Sequence, residues 1–176
     1  MYQGTVAFTY SLVDPDNRVE PDWDERRSLV DRAGTLDGPA AWLGEDIEAA
    51  KAVVVTRALA MRRRHRAAFG SDARYLALDT SGERGDRALA FARADGRGPQ
   101  AVTIVAMHEV ADWGDTAVVL PEGSWHHVLD DAAEVVAGGA AVDVARWLDR
   151  FPVGLLGPVP RGVSGLGARA GWGGAG

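Results

Sequence analysis

Cysteine is absent from the 176 residues, which removes disulfides and thiol nucleophiles and leaves the redox compartment open. An excess of basic charge is also missing. The net charge is −6, so nucleic-acid phosphates and anionic membrane surfaces would be repelled, and neither is an expected partner. No apolar run approaches the ~20 residues that cross a bilayer, and no basic-then-apolar leader opens the chain, so the cytoplasm is the expected compartment. There is no G-x-S-x-G string and no Ser with a plausible His and Asp arrangement. Gly162, Gly165 and Gly167 follow no strand pattern and make no phosphate cradle. No internal repeat is visible.

What remains is ordinary in bulk: 47% apolar and 25% charged residues, enough for one domain with a real core, with or without an appended piece. The stretch Tyr10 to Asp22 stands out. It carries Asp14, Asp16, Glu20 and Asp22 beside Asn17 and Arg18, with Pro15 and Pro21 fixing the backbone. Asp and Asn bond their own backbone in turns, so a stiff polar loop is expected. Val6 to Val13 before it and Trp23 and Leu29 after it would mount that loop on packed structure, where binding residues tend to sit. A helix-entry turn with surplus charge is the other reading.

Val6, Phe8, Tyr10 and Leu12 alternate as an extended lead-in. Asp22 is a good N-cap, with Glu25 three residues on, so a short helix is expected over 23–33, stopped by Gly34. Thr35 to Gly44 reads as a connector. A long helix is expected over 45–69, with Ile47, Ala50, Val54, Ala58, Met61, His65 and Phe69 on one face. Acidic residues open it and Arg62, Arg63, Arg64 and Arg66 close it, which suits the macrodipole. From Ala73 the grain changes to short alternating apolar runs over 74–78, 87–93, 101–107, 117–120, 125–129, 140–144 and 153–156. Turn pairs such as Ser81-Gly82 and Asp95-Gly96 break them, the pattern of an antiparallel sheet or sandwich. Residues 131–139 stay ambiguous, and 144–150 fit a helical turn. The Gly-rich stretch 157–176 reads as a disordered tail. The fold class is therefore α+β, with a helical part over 1–70 and a β domain over 71–156.

Candidate chemistry is thin. Asp14-Pro15-Asp16-Asn17 begins like a calcium loop, but Arg18 and Val19 stand where a ligand and a glycine are needed. His126 and His127 are adjacent, so on a strand they face opposite ways and cannot share a metal; surface positions are expected for them. His108 and Glu109 lack a partner at useful spacing, and His65 reads as a core histidine. No metal or cofactor is expected. The run from Arg62 to Arg66 fits a solvated helix end with an ion pair or two better than a nucleic-acid site. Glycoside chemistry needs two carboxyl groups about 5–9.5 Å apart, flanking the bond from separate elements. Asp14 and Asp16 share one loop, so they suit hydroxyl binding better than cleavage. Trp113 and Trp125 are candidate exposed sugar platforms, though most tryptophans are core residues.

Together these strings resemble a known family. Tyr2-Gln3-Gly4-Thr5, Ser11 through Arg18, Asp22, Arg26 and Arg27 are similar to the C-terminal part of maltooligosyltrehalose synthase, an alpha-amylase-like (β/α)8-barrel protein. Lys51, Arg57 to Leu59 and Arg62 to His65 resemble its last barrel helix. Phe91 to Arg93, Trp113 to Thr116, Leu120-Pro121, Trp125 and Phe151 to Val153 resemble its C-terminal β domain. The resemblance implies that residues 1–70 are the end of the barrel, its last βα loop and long last helix, and that a β-sandwich follows. It implies a parent reaction in which the reducing-end α-1,4 bond of a malto-oligosaccharide becomes an α,α-1,1 bond, by retaining intramolecular transglycosylation. The two catalytic carboxylates of the family lie on earlier barrel strands, so no catalytic residue is expected in this chain. Tyr2, Gln3, Asp14, Asp16, Asn17 and Arg18 would contact the sugar. The missing barrel portion would be the protein partner. Val6 departs from the family, which carries Glu there. A free-standing glucan-binding or structural β module is the alternative reading.

Overall fold

The computed structural model describes residues 6–8 and 20–159. Three helices come first. α1 spans Trp23–Gly34, and Asp22 caps it by accepting from the amides of Asp24 at 3.0 Å and Glu25 at 2.9 Å. The helix takes in Gly34 itself and closes through Thr35, whose amide donates to the Arg32 carbonyl. α2, Gly38–Leu43, replaces the connector expected over 35–44. The missed signal was Asp37-Gly38-Pro39: Asp37 accepts from Ala40 N at 2.7 Å, and Pro39 sits in the first turn, where its missing N–H costs nothing. α3 spans Ile47–Arg64 and is capped by Asp46. It stops five residues short of the expected end. The backbone leaves the helical region at His65, and Arg66–Phe69 tighten into a 3-10 turn. There Arg93 donates to the Ala68 carbonyl at 3.2 Å, holding the turn on the sheet.

The rest is antiparallel sheet. β1 (Arg74–Leu78), β3 (Ala88–Asp95), β4 (Gly98–Ala106), β9 (Val153–Pro158), β6 (Ser124–His127) and β7 (Val136–Ala137) form a six-stranded sheet in that spatial order. β2 (Thr80–Ser81), β5 (Ala117–Val119) and β8 (Ala141–Asp143) form a second sheet of three. The short α4, Ala145–Leu148, sits where the helical turn was expected. β9 carries Gly157 and Pro158, two residues past the expected strand end. Residues 160–176 lie outside the described residues. Among the described residues no helix is long and apolar enough to cross a membrane.

Alternation along the strands sorts two cores. Val102 and Ile104 of β4, Leu156 of β9 and Trp125 of β6 share one cluster with Val118 of β5 and Trp147 of α4. The intervening residues Ala101 and Leu155 point the other way and join Leu29, Ala33, Ala49, Ala50, Val53 and Met61 of the helices. The larger sheet is thus covered on both faces. Deleting Ile104, which is fully buried, to alanine would cost about 2–5 kcal/mol through lost burial and a cavity between the layers.

Candidate functional site

The expected sugar-contacting residues Tyr2, Gln3, Asp14, Asp16, Asn17 and Arg18 all lie outside the described residues. The structure does show what flanks them. Before the loop, Val6 and Ala7 pack on the helical core. Lys51 of α3 donates to the Ala7 carbonyl at 2.9 Å and sets its ammonium 4.0 Å from the centre of the Phe8 ring. After the loop, Asp22 caps α1, and α1 packs against α3. The two ends of the acidic stretch are therefore seated on one helical layer.

That layer is stapled to the sheet by Arg57. Its Nη1 donates to Asp131 Oδ1 at 2.7 Å and to the Val128 carbonyl at 2.8 Å. Its Nη2 donates to Asp131 Oδ2 at 3.0 Å and to the Leu36 carbonyl at 2.9 Å. Beside it the Gly38 amide donates to Leu129 O at 2.7 Å. The buried carboxylate of Asp130 receives Arg150 at 2.8 Å. Asp95, the other buried carboxylate, is held below its usual range by the Arg97 amide at 2.8 Å and the Arg97 guanidinium at 3.0 Å, and Gln100 adds a third donor. Both acids are already committed to structural partners.

The expected surface positions of the adjacent histidines are corrected. They do face opposite ways, but both sides are covered. His127 points to the side of Trp147 and Gly154 and is 6% exposed; His126 points toward Met61 of α3 beside Gly157. Burial, then the charges of His126 and Arg57, push His127 down to about 4. Burial and Arg64 lower His126 and, with a hydrogen bond from Gln100 opposing, His65. Among the described residues, no group of three or more His, Asp or Glu is placed to hold a metal.

The tryptophan platforms are corrected too. Trp113 and Trp125 are each 2% exposed, and Trp125 spends its indole N–H on the Pro121 carbonyl at 2.8 Å. They are core residues. Exposed aromatic surface lies elsewhere, at Trp23, Trp42 and Tyr75. Tyr75 of β1 stacks on Phe91 of β3, with ring centres 5.1 Å apart and planes 25° from parallel. Register explains the pair, since Tyr75 opposes Arg93 and Ala77 opposes Phe91, which puts both rings on one face. The alternation of β1 and β3 carried that signal in the sequence.

The class defined by this fold is α+β, with antiparallel sheets carrying a small helical layer, and it recurs as the C-terminal region of a larger enzyme. That enzyme is maltooligosyltrehalose synthase: sequence and fold both match a small C-terminal portion of it. The chain is 30% identical over 156 residues to the putative maltooligosyl trehalose synthases of two Mycobacterium tuberculosis strains, CDC 1551 and H37Rv. The match takes in 89% of this chain and 18% of those relatives. Among solved structures, a mutant maltooligosyltrehalose synthase from Arthrobacter ramosus aligns with a TM-score of 0.69 at 30% identity. The same enzyme without that mutation aligns at 0.66 and 28%, and in each case 89% of this chain covers 19% of the other. The chain thus spans about a fifth of the length of the proteins it matches. No family model matches it.

Proposed function

We propose that the chain is the C-terminal, non-catalytic portion of a maltooligosyltrehalose synthase. It completes the wall and mouth of a malto-oligosaccharide site whose acids lie elsewhere. The observation that carries this is the lopsided match, 89% of this chain against 18–19% of each synthase. In the parent reaction the reducing-end α-1,4 bond becomes an α,α-1,1 bond through a covalent glycosyl intermediate. Such a reaction needs a nucleophilic carboxylate and a second carboxyl group acting as acid and base, about 5–5.5 Å apart on opposed elements. The buried acids described here, Asp95 and Asp130, instead hold Arg97 and Arg150.

On this reading the helices α1 to α3 are the end of the barrel and the two sheets are its β-sandwich C-terminal domain. The loop bearing Asp14, Asp16, Asn17 and Arg18, with Tyr2 and Gln3, lies at the site mouth and binds sugar hydroxyls. The remaining barrel is its protein partner, and the cytoplasm is where the reaction would run. The test is a chimera in which this chain replaces the matching region of the Arthrobacter ramosus synthase. Conversion of maltopentaose to a non-reducing product is expected to persist. Asp14→Ala with Asp16→Ala in the same chimera should raise KM more than it lowers kcat. A folded chimera whose kinetics ignore the double substitution would remove the loop from the site.

A second reading, a glucan-binding module, is favoured by one observation, the exposed Tyr75 ring stacked on half-buried Phe91 at the sheet face. Tyr75→Ala should then abolish retention of the chain on immobilised amylose.

A further inference from the structure

The basic run at the end of α3 is not absorbed by the carbohydrate reading. Leu59, Arg62, Arg63 and Arg66 line an open hollow of about 250 Å³ at the end of α3. Arg62, Arg63 and Arg66 are exposed, and among the described residues no carboxylate forms an ion pair with any of them. Arg32, Arg57, Arg97 and Arg150 elsewhere in the chain each hold an acid. The expected ion pair or two is therefore missing at these three positions. The macrodipole favours cations in a last helical turn, but that effect fades within the turn and asks for no hollow.

Leu59, Arg62 and Arg63 fall three and four apart on α3 and so share one side of the helix, and Arg66, in the 3-10 turn that follows, lines the same hollow. Leu59 offers an apolar floor, the long stems of the arginines offer carbon walls, and the guanidinium heads form a rim of forked donors. Arginine around an apolar centre is the composition of a protein-docking spot.

We propose that this hollow docks an acidic polypeptide segment, one apolar side chain over Leu59 and flanking carboxylates on Arg62, Arg63 and Arg66. Charge complementarity selects the occupant. A nucleic acid would meet a chain whose net charge is −6, which disfavours a polyphosphate. A free phosphate has nothing to set on Leu59. The proposal stands independently of the sugar reading.

The test is fluorescence anisotropy of a labelled dodecapeptide, rich in Asp and Glu around a central Leu, titrated with the whole chain. A saturable rise is expected, weakened severalfold when salt goes from about 50 to about 300 mM. The triple substitution Arg62→Ala, Arg63→Ala, Arg66→Ala should weaken binding about tenfold or more, and replacing the peptide's Leu with Ser should weaken it clearly. If the triple variant does not fold, as judged by circular dichroism, the single Arg63→Glu carries the comparison. No saturable rise, binding that ignores these changes, or equal competition by inorganic phosphate or duplex DNA overturns the proposal.

Discussion

Arg57 grips Asp131 through both carboxylate oxygens, at 2.7 and 3.0 Å, across 74 positions of sequence. The same guanidinium satisfies the carbonyls of Leu36 and Val128. One side chain thus joins α3, the turn before α2 and the segment after β6.

The two partners are not equivalent, and mutation should show it. The Arg57 side chain is 16% exposed and the Asp131 side chain 62%. Arg57→Met strips donors from two carbonyls as well as from the acid, and is expected to cost about 2–3 kcal/mol. Asp131→Asn leaves the carbonyl bonds in place and should cost only about 0.5–1 kcal/mol. Arg57→Lys cannot reproduce the fork and should fall nearer to Met than to wild type. Urea unfolding of the three variants checks the order, and equal losses would contradict it.

Glu45 is the only non-glycine residue with positive φ among those described, at 59°. It sits where α2 ends, with Asp46 N donating to Ala41 O at 3.1 Å and Glu45 N to Trp42 O at 3.0 Å. That is the bonding of a Schellman ending, whose left-handed position favours glycine. Glu45→Gly removes a Cβ clash, while the looser unfolded chain takes back part of the gain. A net stabilisation of about 0.5–1 kcal/mol is expected in thermal unfolding; a loss would mean Glu45 makes a favourable contact that outweighs its strain.

His127 sets the direction of acid sensitivity. Its folded-state pKa of about 4 lies below the unfolded value near 6.5. The unfolded chain therefore binds the extra proton first, and stability is full above about pH 6.5 and falls as pH drops toward 4. Arg57, Arg150 and His126 oppose its charging, and Asp37 alone favours it. The loss over that window is about 3 kcal/mol. Asp95, whose pKa is also depressed, adds in the same direction as pH falls through the carboxylate range. Both ring nitrogens of His127 lack a partner among the described residues. His127→Leu should make the loss of stability between pH 8 and 4.5 shallower, with His126 and His65 leaving a smaller slope of the same sign, and should not weaken the protein at pH 8. An unchanged pH profile would contradict this.

The strands were legible because alternation is local: β1, β3 and β4 follow the runs that begin at Arg74, Arg87 and Ala101 within a few residues. The cap Asp22 and the helical turn at α4 are local too, whereas Asp46, read as part of the first turn of α3, is its cap. What alternation does not reveal is whether a strand's second face is wet. Here helices and the smaller sheet cover both faces of the larger one, so His127, read as a surface group, and Trp125, an exposed platform only in the alternative reading, are buried. The end of α3 was misplaced for a related reason. The helical period runs on through Phe69, but the bond from Arg93 that fixes the 3-10 turn comes from a strand 25 positions away. The acidic loop was legible as chemistry through its residue types and its resemblance, and the anchors at Lys51 and Asp22 show how its flanks are held.

On the proposed division, the acids that would do the chemistry belong to the parent enzyme's barrel and not to this chain. Incubate the purified chain with maltopentaose and follow reducing ends together with the anomeric proton spectrum. The expected result is an undiminished count of reducing ends and no α,α-1,1 signal. Steady appearance of a non-reducing pentasaccharide, made by this chain unaided, would contradict it.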